Sequence, residues 1–489
     1  MRFRPPIALA LLFAATSGAA AASPWDEAAA VLRENCTKCH GGAKQKAGLD
    51  LRSEASAAQG GKFGPGVEPD NPEQSAILNA VLPGADPMMP PDGEGEPLTE
   101  SEIAALREWV AHFDPAAVEA GSAAASLPLP EASPALPAGV RPELAIDFFV
   151  ERRWAAEGVA AAPRCDDATF ARRAFLDLAG RIPAADELAA FLADPDSAKR
   201  ERLAERLIAG PEFAARMAEV FNVVLLGREG DKGNDRGRRE GDGWLPYLRW
   251  AFAQNRPWDQ IARDLIVADP AADGELAGAS WFLFEQNNDH QKAAEAAAPA
   301  LFGKQIQCAQ CHDHPVSPEI EQRHYWGLVS FFSRSVNVRT PQGPRVAERA
   351  AGGYGKFANL KGESSDAQLV FLLGGEASEP ARHEAEDAAL YIEPPPEDFL
   401  NPPKDDGDKK RRREPKVERA PEPKFSRREA LADLALADRP AFAEAFVNRL
   451  WAMFLGRGIV HPVDQMDSAH PASHPELLRW LGDDFARSG

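Results

Sequence analysis

The sequence lacks the short signatures of several large protein classes. It contains no Gly-x-Gly-x-x-Gly string, no Gly-x-Ser-x-Gly string and no phosphate-binding loop, which argues against familiar nucleotide-binding and serine-hydrolase chemistry. No internal apolar run reaches the roughly twenty residues that a membrane-spanning helix needs. Basic residues are also outnumbered, 55 against 75 acidic ones, for a formal charge of −20. Such an acidic chain disfavours nucleic acid and anionic membranes as ligands and suits basic partners.

Residues 1–22 have the features of a secretory signal peptide. Arg2 and Arg4 precede a short apolar core at 7–15, and small residues up to Ala22 provide a cleavage site. The core is short for a membrane span, and an uncleaved N-terminal anchor is the alternative interpretation. We therefore expect an exported protein, periplasmic or on the cell surface, with no membrane span beyond an uncleaved signal.

Cysteine is scarce, with five residues in a chain of 489. Four of them lie in two Cys-x-x-Cys-His strings, and the remaining one, Cys165, is assigned no role. A histidine directly after each pair favours covalent haem attachment over the disulfides usual in exported chains. In such a string the two thiols meet the vinyl groups of the porphyrin, and the histidine binds the iron.

The first string predicts a haem c site, with Cys36 and Cys39 as the tethering thiols and His40 as the proximal iron ligand. Zinc is disfavoured there, because His112 is the only other histidine of the segment and a zinc site needs more ligands. For the distal ligand we predict Met89 rather than Met88, because Met89 directly precedes a stiffening Pro-Pro pair. A packing role is the alternative for either methionine.

These motifs resemble, in their order, the planctomycete-type cytochrome c domain. The resemblance spans most of residues 25–115 and rests on Cys-Thr-Lys-Cys-His-Gly at 36–41, Gly-Leu-Asp-Leu at 48–51, Met-Pro-Pro at 89–91 and Leu-Thr-x-x-Glu-Ile at 98–103. It implies haem c on Cys36 and Cys39, with His40 and Met89 as axial ligands. Later strings at 172–183 and 303–315 resemble the uncharacterised domain that usually follows this module, and those at 448–451 and 456–460 resemble the start of a third domain.

The second string, at 308–312, has three competing interpretations. A second haem c would use Cys308, Cys311 and His312, with His324 or His290 as the distal ligand or an open sixth position. A zinc or iron site could instead draw on the two cysteines, His312 and His314. The third interpretation is a Cys308–Cys311 disulfide or a purely structural role.

Composition shifts predict a mainly α protein of several domains. The predicted segments are a signal peptide at 1–22, a small class-I-like cytochrome c domain at 23–114, an Ala/Pro linker at 115–140, a larger helical domain at 141–335, a mixed region at 336–394, a charged linker at 395–424 and a C-terminal helical fragment at 425–489. We expect the chain to end inside that third helical domain.

The predicted function is one-electron transfer by one or two covalent haems c to redox partner proteins. An electron carrier is favoured over a self-contained enzyme. Two alternatives remain at this stage: an oxidoreductase whose large domain acts on a substrate and passes electrons to the cytochrome domain, and a surface binding or scaffold protein with structural metal centres.

Overall fold

The computed structural model describes residues 24–115 with short gaps (38, 42–43, 46, 48, 50, 52–53, 63, 69–70, 83, 86–87 and 92–94), and 133–227, 239–393, 395–400, 416–436 and 440–488. The predicted signal peptide and parts of both predicted linkers, 116–132 and 401–415, lie outside the described residues. The chain divides into two compact units, Met1–Ser126 and Leu127–Gly489. About 53% of the structure is helical and its described sheets have two strands each. The prediction of a mainly α protein is confirmed.

The N-terminal unit is built on two longer helices that pack against each other. The described helices are α1 (Pro24–Asn35), α2 (Glu54–Gln59), α3 (Ala76–Val81) and α4 (Glu100–Ala111), with a short antiparallel ribbon of β1 (His40–Gly41) and β2 (Lys44–Gln45). Helix α4 begins with a capping box in which the Thr99 hydroxyl accepts from the Glu102 backbone N–H. Apolar side chains at helical spacing, including Leu32 of α1 and Leu106 of α4, then form the buried core.

The larger unit is mostly helical. Its helices are α5 (Ala145–Glu157), α6 (Asp167–Ala174), α7 (Ala185–Ala193), α8 (Lys199–Ile208), α9 (Pro211–Leu226), α10 (Trp244–Ala253), α11 (Trp258–Val267), α12 (Trp281–Phe284), α13 (His290–Phe302), α14 (Gln322–Phe332), α15 (Glu397–Leu400), α16 (Arg427–Leu436), α17 (Pro440–Leu455) and α18 (Pro475–Ser488). Helix α6 shows how local sequence sets an end. The Asp166 carboxylate accepts from the Thr169 N–H at 2.7 Å, and a π-helical turn then runs to the left-handed Gly180.

Short antiparallel hairpins interrupt the helices between 335 and 377. They pair β3 (Ser335–Thr340) with β4 (Gly343–Glu348), β5 (Lys356–Ala358) with β6 (Ser364–Asp366), and β7 (Leu369–Val370) with β8 (Glu376–Ala377). The first hairpin is largely buried along β4, so its strands pack against the helices instead of forming an exposed sheet.

One apolar core joins helices that are distant in the sequence. Trp244, Phe302 and Tyr325 are buried together with Leu431 and Phe442 from α16 and α17. The C-terminal segment therefore shares the core of the preceding helices, because its apolar faces are buried against theirs.

A buried ion-pair network fixes α16 to the first hairpin. The Glu348 carboxylate accepts from the Arg427 backbone N–H at 2.6 Å and pairs with Arg428 at 3.3 Å, and both side chains are at most 2% exposed. The Arg427 guanidinium donates to Glu379 at 2.8 Å. Each charge has a partner, which buried ions require to offset their lost hydration.

Among the described residues, none of the helices is at once long enough and apolar enough to cross a lipid bilayer.

Candidate functional site

The N-terminal unit contains an apolar cavity of about 380 Å³. Its walls are mostly aliphatic, and three residues of the first predicted site also line it. The lining includes Leu32, Leu49, Leu51, Ile77, Val81, Leu106, Cys36, His40 and Met89. Cofactor sites typically have this character, with apolar walls and a few placed polar groups.

The end of α1 directs the first motif toward this cavity. The Cys36 N–H donates to the Leu32 carbonyl at 2.9 Å, which continues the helical turn past Asn35. The Cys39 and His40 N–H groups then both donate to the Cys36 carbonyl at 3.0 Å. This tight turn brings Cys36 and His40 to one cavity, whereas Cys39 is half-buried beside it and is not part of the described lining.

The Cys36 thiol lies in an apolar environment. Burial, together with the nearby negative charge of Glu102, raises the pKa of Cys36 to about 11. The thiol is therefore neutral at physiological pH. Cys36 also packs against the core of the unit, as Met89 does.

The structure distinguishes the two adjacent methionines. Met89 lines the cavity, and its backbone N–H donates to the Ala80 carbonyl near the end of α3 at 2.7 Å. Met88 is half-buried but is not among the cavity's described lining residues. Of the two, Met89 is therefore the one whose side chain faces the same space as Cys36 and His40.

Contacts between α1, α2 and α4 hold the walls of the cavity in place. The Asn35 side chain donates to Glu102 at 3.0 Å, and the Trp109 indole N–H donates to Glu54 at 2.8 Å. The Trp25 and Trp109 rings also lie 5.0 Å apart. These long-range contacts clamp the helix that ends in the motif against the last helix of the unit.

Close backbone approach on another wall requires glycine. A Cβ on Gly66 would lie 1.8 Å from the Ala57 carbonyl oxygen, and one on Gly60 would lie 2.2 Å from that of Gly64. All three glycines line the cavity. Only residues without a side chain allow these segments to lie this close.

The residues of this cavity fit a c-type haem. Residues with a thiol, an imidazole and a thioether line one apolar space, and these are groups that would tether a porphyrin and bind its iron. The apolar walls would exclude water from the metal centre.

The second motif has a different environment. It lies on a 3₁₀ turn at Gln307–Gln310, where Ala309 is fully buried but Cys308 and Cys311 are exposed free thiols. The His312 ring places Nδ1 2.6 Å from the Asp313 carbonyl oxygen.

The histidines predicted as distal ligands for this motif are engaged elsewhere. His290 Nε2 lies 3.0 Å from the Ser335 carbonyl oxygen. His324 is buried, and its Nδ1 accepts from the Glu321 backbone N–H at 3.0 Å as part of the cap of α14. Neither ring is directed at the second motif by these bonds.

The structure also places residues beside the second motif that the sequence analysis did not select. The Gln305 amide donates to Asp464 at 2.6 Å, and Ser468 donates to both carboxylate oxygens of Glu319 at 2.7 Å. Asp467, with a side chain 2% exposed, binds His470 Nδ1 at 2.8 Å. No local sequence pattern could have predicted these contacts, because about 150 residues separate most of the partners.

These surroundings differ from those of the first site. Cys308, Cys311 and His312 line none of the three described cavities, and the nearby side chains are largely polar. Within the described part of the chain, no three His, Cys, Asp or Glu side chains are grouped so that they could hold a metal ion. A second haem, a zinc or iron site and a Cys308–Cys311 disulfide therefore all remain predictions for this motif.

Comparison with known families covers much of the chain. A family model for planctomycete cytochrome c matches residues 36–93, and models for two proteins of unknown function, DUF1549 and DUF1553, match residues 145–337 and 427–489. No curated protein and no solved structure matches the chain. The first match makes the N-terminal unit a haem-binding domain of the cytochrome c type. The three matches follow the order predicted from the sequence, and the chain thus belongs to the planctomycete-type cytochrome c domain proteins, in which this module precedes two uncharacterised domains.

Proposed function

We propose that this protein is an exported one-electron carrier with a single haem c in its N-terminal unit. The observation that carries the proposal is that Cys36, His40 and Met89 line one apolar cavity. When bound, haem c supplies reversible one-electron cycling between ferrous and ferric iron.

Each residue of the site has a separate role in this proposal. Cys36 and Cys39 tether the porphyrin through thioether bonds, so that the cofactor stays with the chain during repeated oxidation and reduction. His40 and Met89 would hold the iron of a haem bound in this cavity. A methionine ligand would raise the reduction potential relative to a second histidine.

The walls of the cavity suit electron transfer. Leu32, Ile77 and Leu106 would limit the access of water to a haem bound there. The hydrogen bond from Asn35 to Glu102 would help to hold the motif in place. A rigid site needs little rearrangement when the charge on the iron changes, which suits rapid electron exchange.

The charge of the chain and its N-terminal signal bear on the redox partners and the location of the carrier. The formal charge of −20 favours redox partners with basic surfaces and disfavours nucleic acid. The signal-peptide features of residues 1–22 support export, with the carrier working in the periplasm or at the cell surface.

The test is the haem content of the full chain after expression with a c-type maturation system. A pyridine haemochrome spectrum with protein quantification should give one haem per chain, and acidified organic solvent should not extract it. Reversible one-electron reduction in a potentiometric titration should follow. Colourless protein, or haem that is extracted by acid, would overturn the proposal.

A further inference from the structure

The two Cys-x-x-Cys-His strings have opposite environments. Cys36 lines an apolar cavity and packs against a core, whereas Cys308 and Cys311 are both exposed. We infer that Cys308 and Cys311 form a reversible dithiol–disulfide site that exchanges with the thiols or disulfides of a partner. This inference concerns the larger unit and does not depend on electron transfer through the N-terminal haem.

Local geometry presents both thiols to solvent. The 3₁₀ turn at Gln307–Gln310 buries Ala309 completely between the two cysteines. The Ala309 N–H donates to the Ile306 carbonyl at 2.9 Å, and Ile306 is itself fully buried. The turn is thus anchored from inside, and its cysteines are accessible to a partner molecule.

Helix α14 fixes the turn from one side. The Gln310 carbonyl accepts from both the Trp326 indole N–H and the Gln322 side chain, each at 3.0 Å. The Gln322 backbone N–H donates to the Asp313 carboxylate at 2.8 Å. These three bonds bracket Cys311, so the cysteine pair is held on a fixed backbone instead of a loose loop.

The C-terminal segment fixes the turn from the other side. The Met466 N–H donates to the Gly303 carbonyl at 2.8 Å, the Lys304 ammonium donates to the Met466 carbonyl, and Gln305 binds Asp464 at 2.6 Å. The Cys-x-x-Cys spacing, typical of thiol–disulfide exchange sites, is thus carried on a supported turn.

The chemistry is thiol–disulfide exchange. One thiolate of the pair attacks a sulfur of the partner's disulfide, forming a mixed disulfide and releasing one partner thiolate. The second thiolate then attacks the mixed disulfide, forms the Cys308–Cys311 bond and releases the second partner thiolate. The pair loses two electrons and two protons, and the partner's disulfide gains the same number. The reverse sequence reduces the pair.

Equilibration in redox buffers tests the inference on the full, haem-loaded chain. The protein is incubated at fixed ratios of oxidised to reduced dithiothreitol, and the reaction is then quenched. Free thiols are alkylated, the protein is digested, and the mass of the peptide that contains both cysteines is measured by mass spectrometry. We expect it to switch between a doubly alkylated and a disulfide form. The ratio of the two forms should change tenfold for each tenfold change in the buffer ratio, as one two-electron couple requires.

Three variants make the result specific. Cys308→Ser and Cys311→Ser should each abolish the switch, and one of them should accumulate a mixed disulfide with a model disulfide such as oxidised glutathione. Cys165→Ser, which removes an exposed lone thiol, should leave the switch unchanged. A haem adduct on the 308–311 peptide, stoichiometric zinc released by thiol modification, or thiols that stay alkylatable in every buffer would each overturn the inference.

Discussion

The side-chain amide of Asn35 donates to the carboxylate of Glu102 across 67 residues of sequence, at 3.0 Å. Asn35 is the last residue of α1, immediately before the haem-binding string, and Glu102 belongs to the capping box of α4. One carboxylate thus caps a helix and positions the motif at the same time. The stability of the cap and the geometry of the haem site are coupled through it.

Acid should loosen this contact in a defined direction. Hydrogen bonds from the Thr99 backbone and hydroxyl, and from Asn35, lower the pKa of Glu102. A carboxyl with a lowered folded pKa contributes stability above its unfolded pKa, about 4.3, and loses it as pH falls through the folded value. The wild-type N-terminal unit should therefore lose thermal stability below about pH 4, as followed by the haem absorption.

The Glu102→Gln variant should show less of this acid-dependent loss, because glutamine keeps the cap geometry but does not titrate. Glu100→Gln in the first turn of the same helix is the matched control and should keep the wild-type pH profile. Equal profiles for wild type and Glu102→Gln would contradict the coupling.

Replacing Met89 should change the reduction potential. Met89→Ala removes the thioether from the cavity, and the potential should fall because the iron loses a ligand that stabilises its ferrous state. Met88→Ala, which changes the adjacent residue outside the described lining, should leave the potential close to that of the wild type. Potentiometric titration measures the reduction potential of both variants. A larger decrease in potential for Met88→Ala would show that Met88, not Met89, is the iron ligand.

Removing the motif cysteines should release the haem. Each of Cys36→Ala and Cys39→Ala should reduce the covalent haem content, and the double variant should lose it entirely, because no thioether remains to hold the porphyrin. The measurement is haem extraction with acidified organic solvent, followed by the mass of the protein. Cys165→Ala should retain covalent haem at the wild-type level; covalent haem in the double variant would disprove the assignment.

The Gly66→Ala variant should disturb the cavity without touching any ligand. The added methyl would lie 1.8 Å from the Ala57 carbonyl oxygen, so α2 or the 64–68 segment must move. We expect lower haem content and a lower unfolding midpoint for the N-terminal unit. Gly241→Ala in the larger unit meets no atom within 4 Å and serves as the control. If both variants matched the wild type in haem content, the close approach would be unimportant.

The buried carboxylate of Glu348 should be essential for the larger unit. Glu348→Gln leaves Arg428, 2% exposed, without its counter-ion. Removing one member of a buried pair typically costs about 3–5 kcal/mol in the free energy of unfolding. Glu384→Gln, at an exposed pair with Arg382, should leave the free energy of unfolding nearly unchanged. Chemical denaturation measures the free energy of unfolding of both variants. Similar decreases for the two would show that the buried pair stabilises the protein no more than the exposed one.

Much of the local architecture could be predicted because its signals lie within one turn of chain. The capping box of Thr99 and Glu102 is one such signal, because Thr-x-x-Glu can be read directly from the sequence, and the helix that follows buries Leu106, Trp109 and Val110 at helical spacing. The mainly α character and the order of the three families are confirmed as well. Capping and periodicity are local properties, so they can be recognised without knowing which elements meet.

Contacts between distant segments could not be predicted in this way. Arg427 and Arg428, adjacent charged residues on a helix, would ordinarily be expected in solvent, yet both are buried against Glu379 and Glu348. The support of the second motif by the Asp464 side chain and the Met466 backbone depends on groups some 160 residues away. Only the folded chain determines which loops become neighbours.

The sequence by itself determined the helical class, the family and the positions of two Cys-x-x-Cys-His strings of the same spacing, because patterns along the chain are sufficient for each. The tertiary structure decided how those strings differ. It places the half-buried Cys36 at an apolar cavity shared with His40 and Met89, and it leaves Cys308 and Cys311 exposed. The reactivity of a thiol depends on the solvent, walls and charges around it, and these come from residues far away in the sequence.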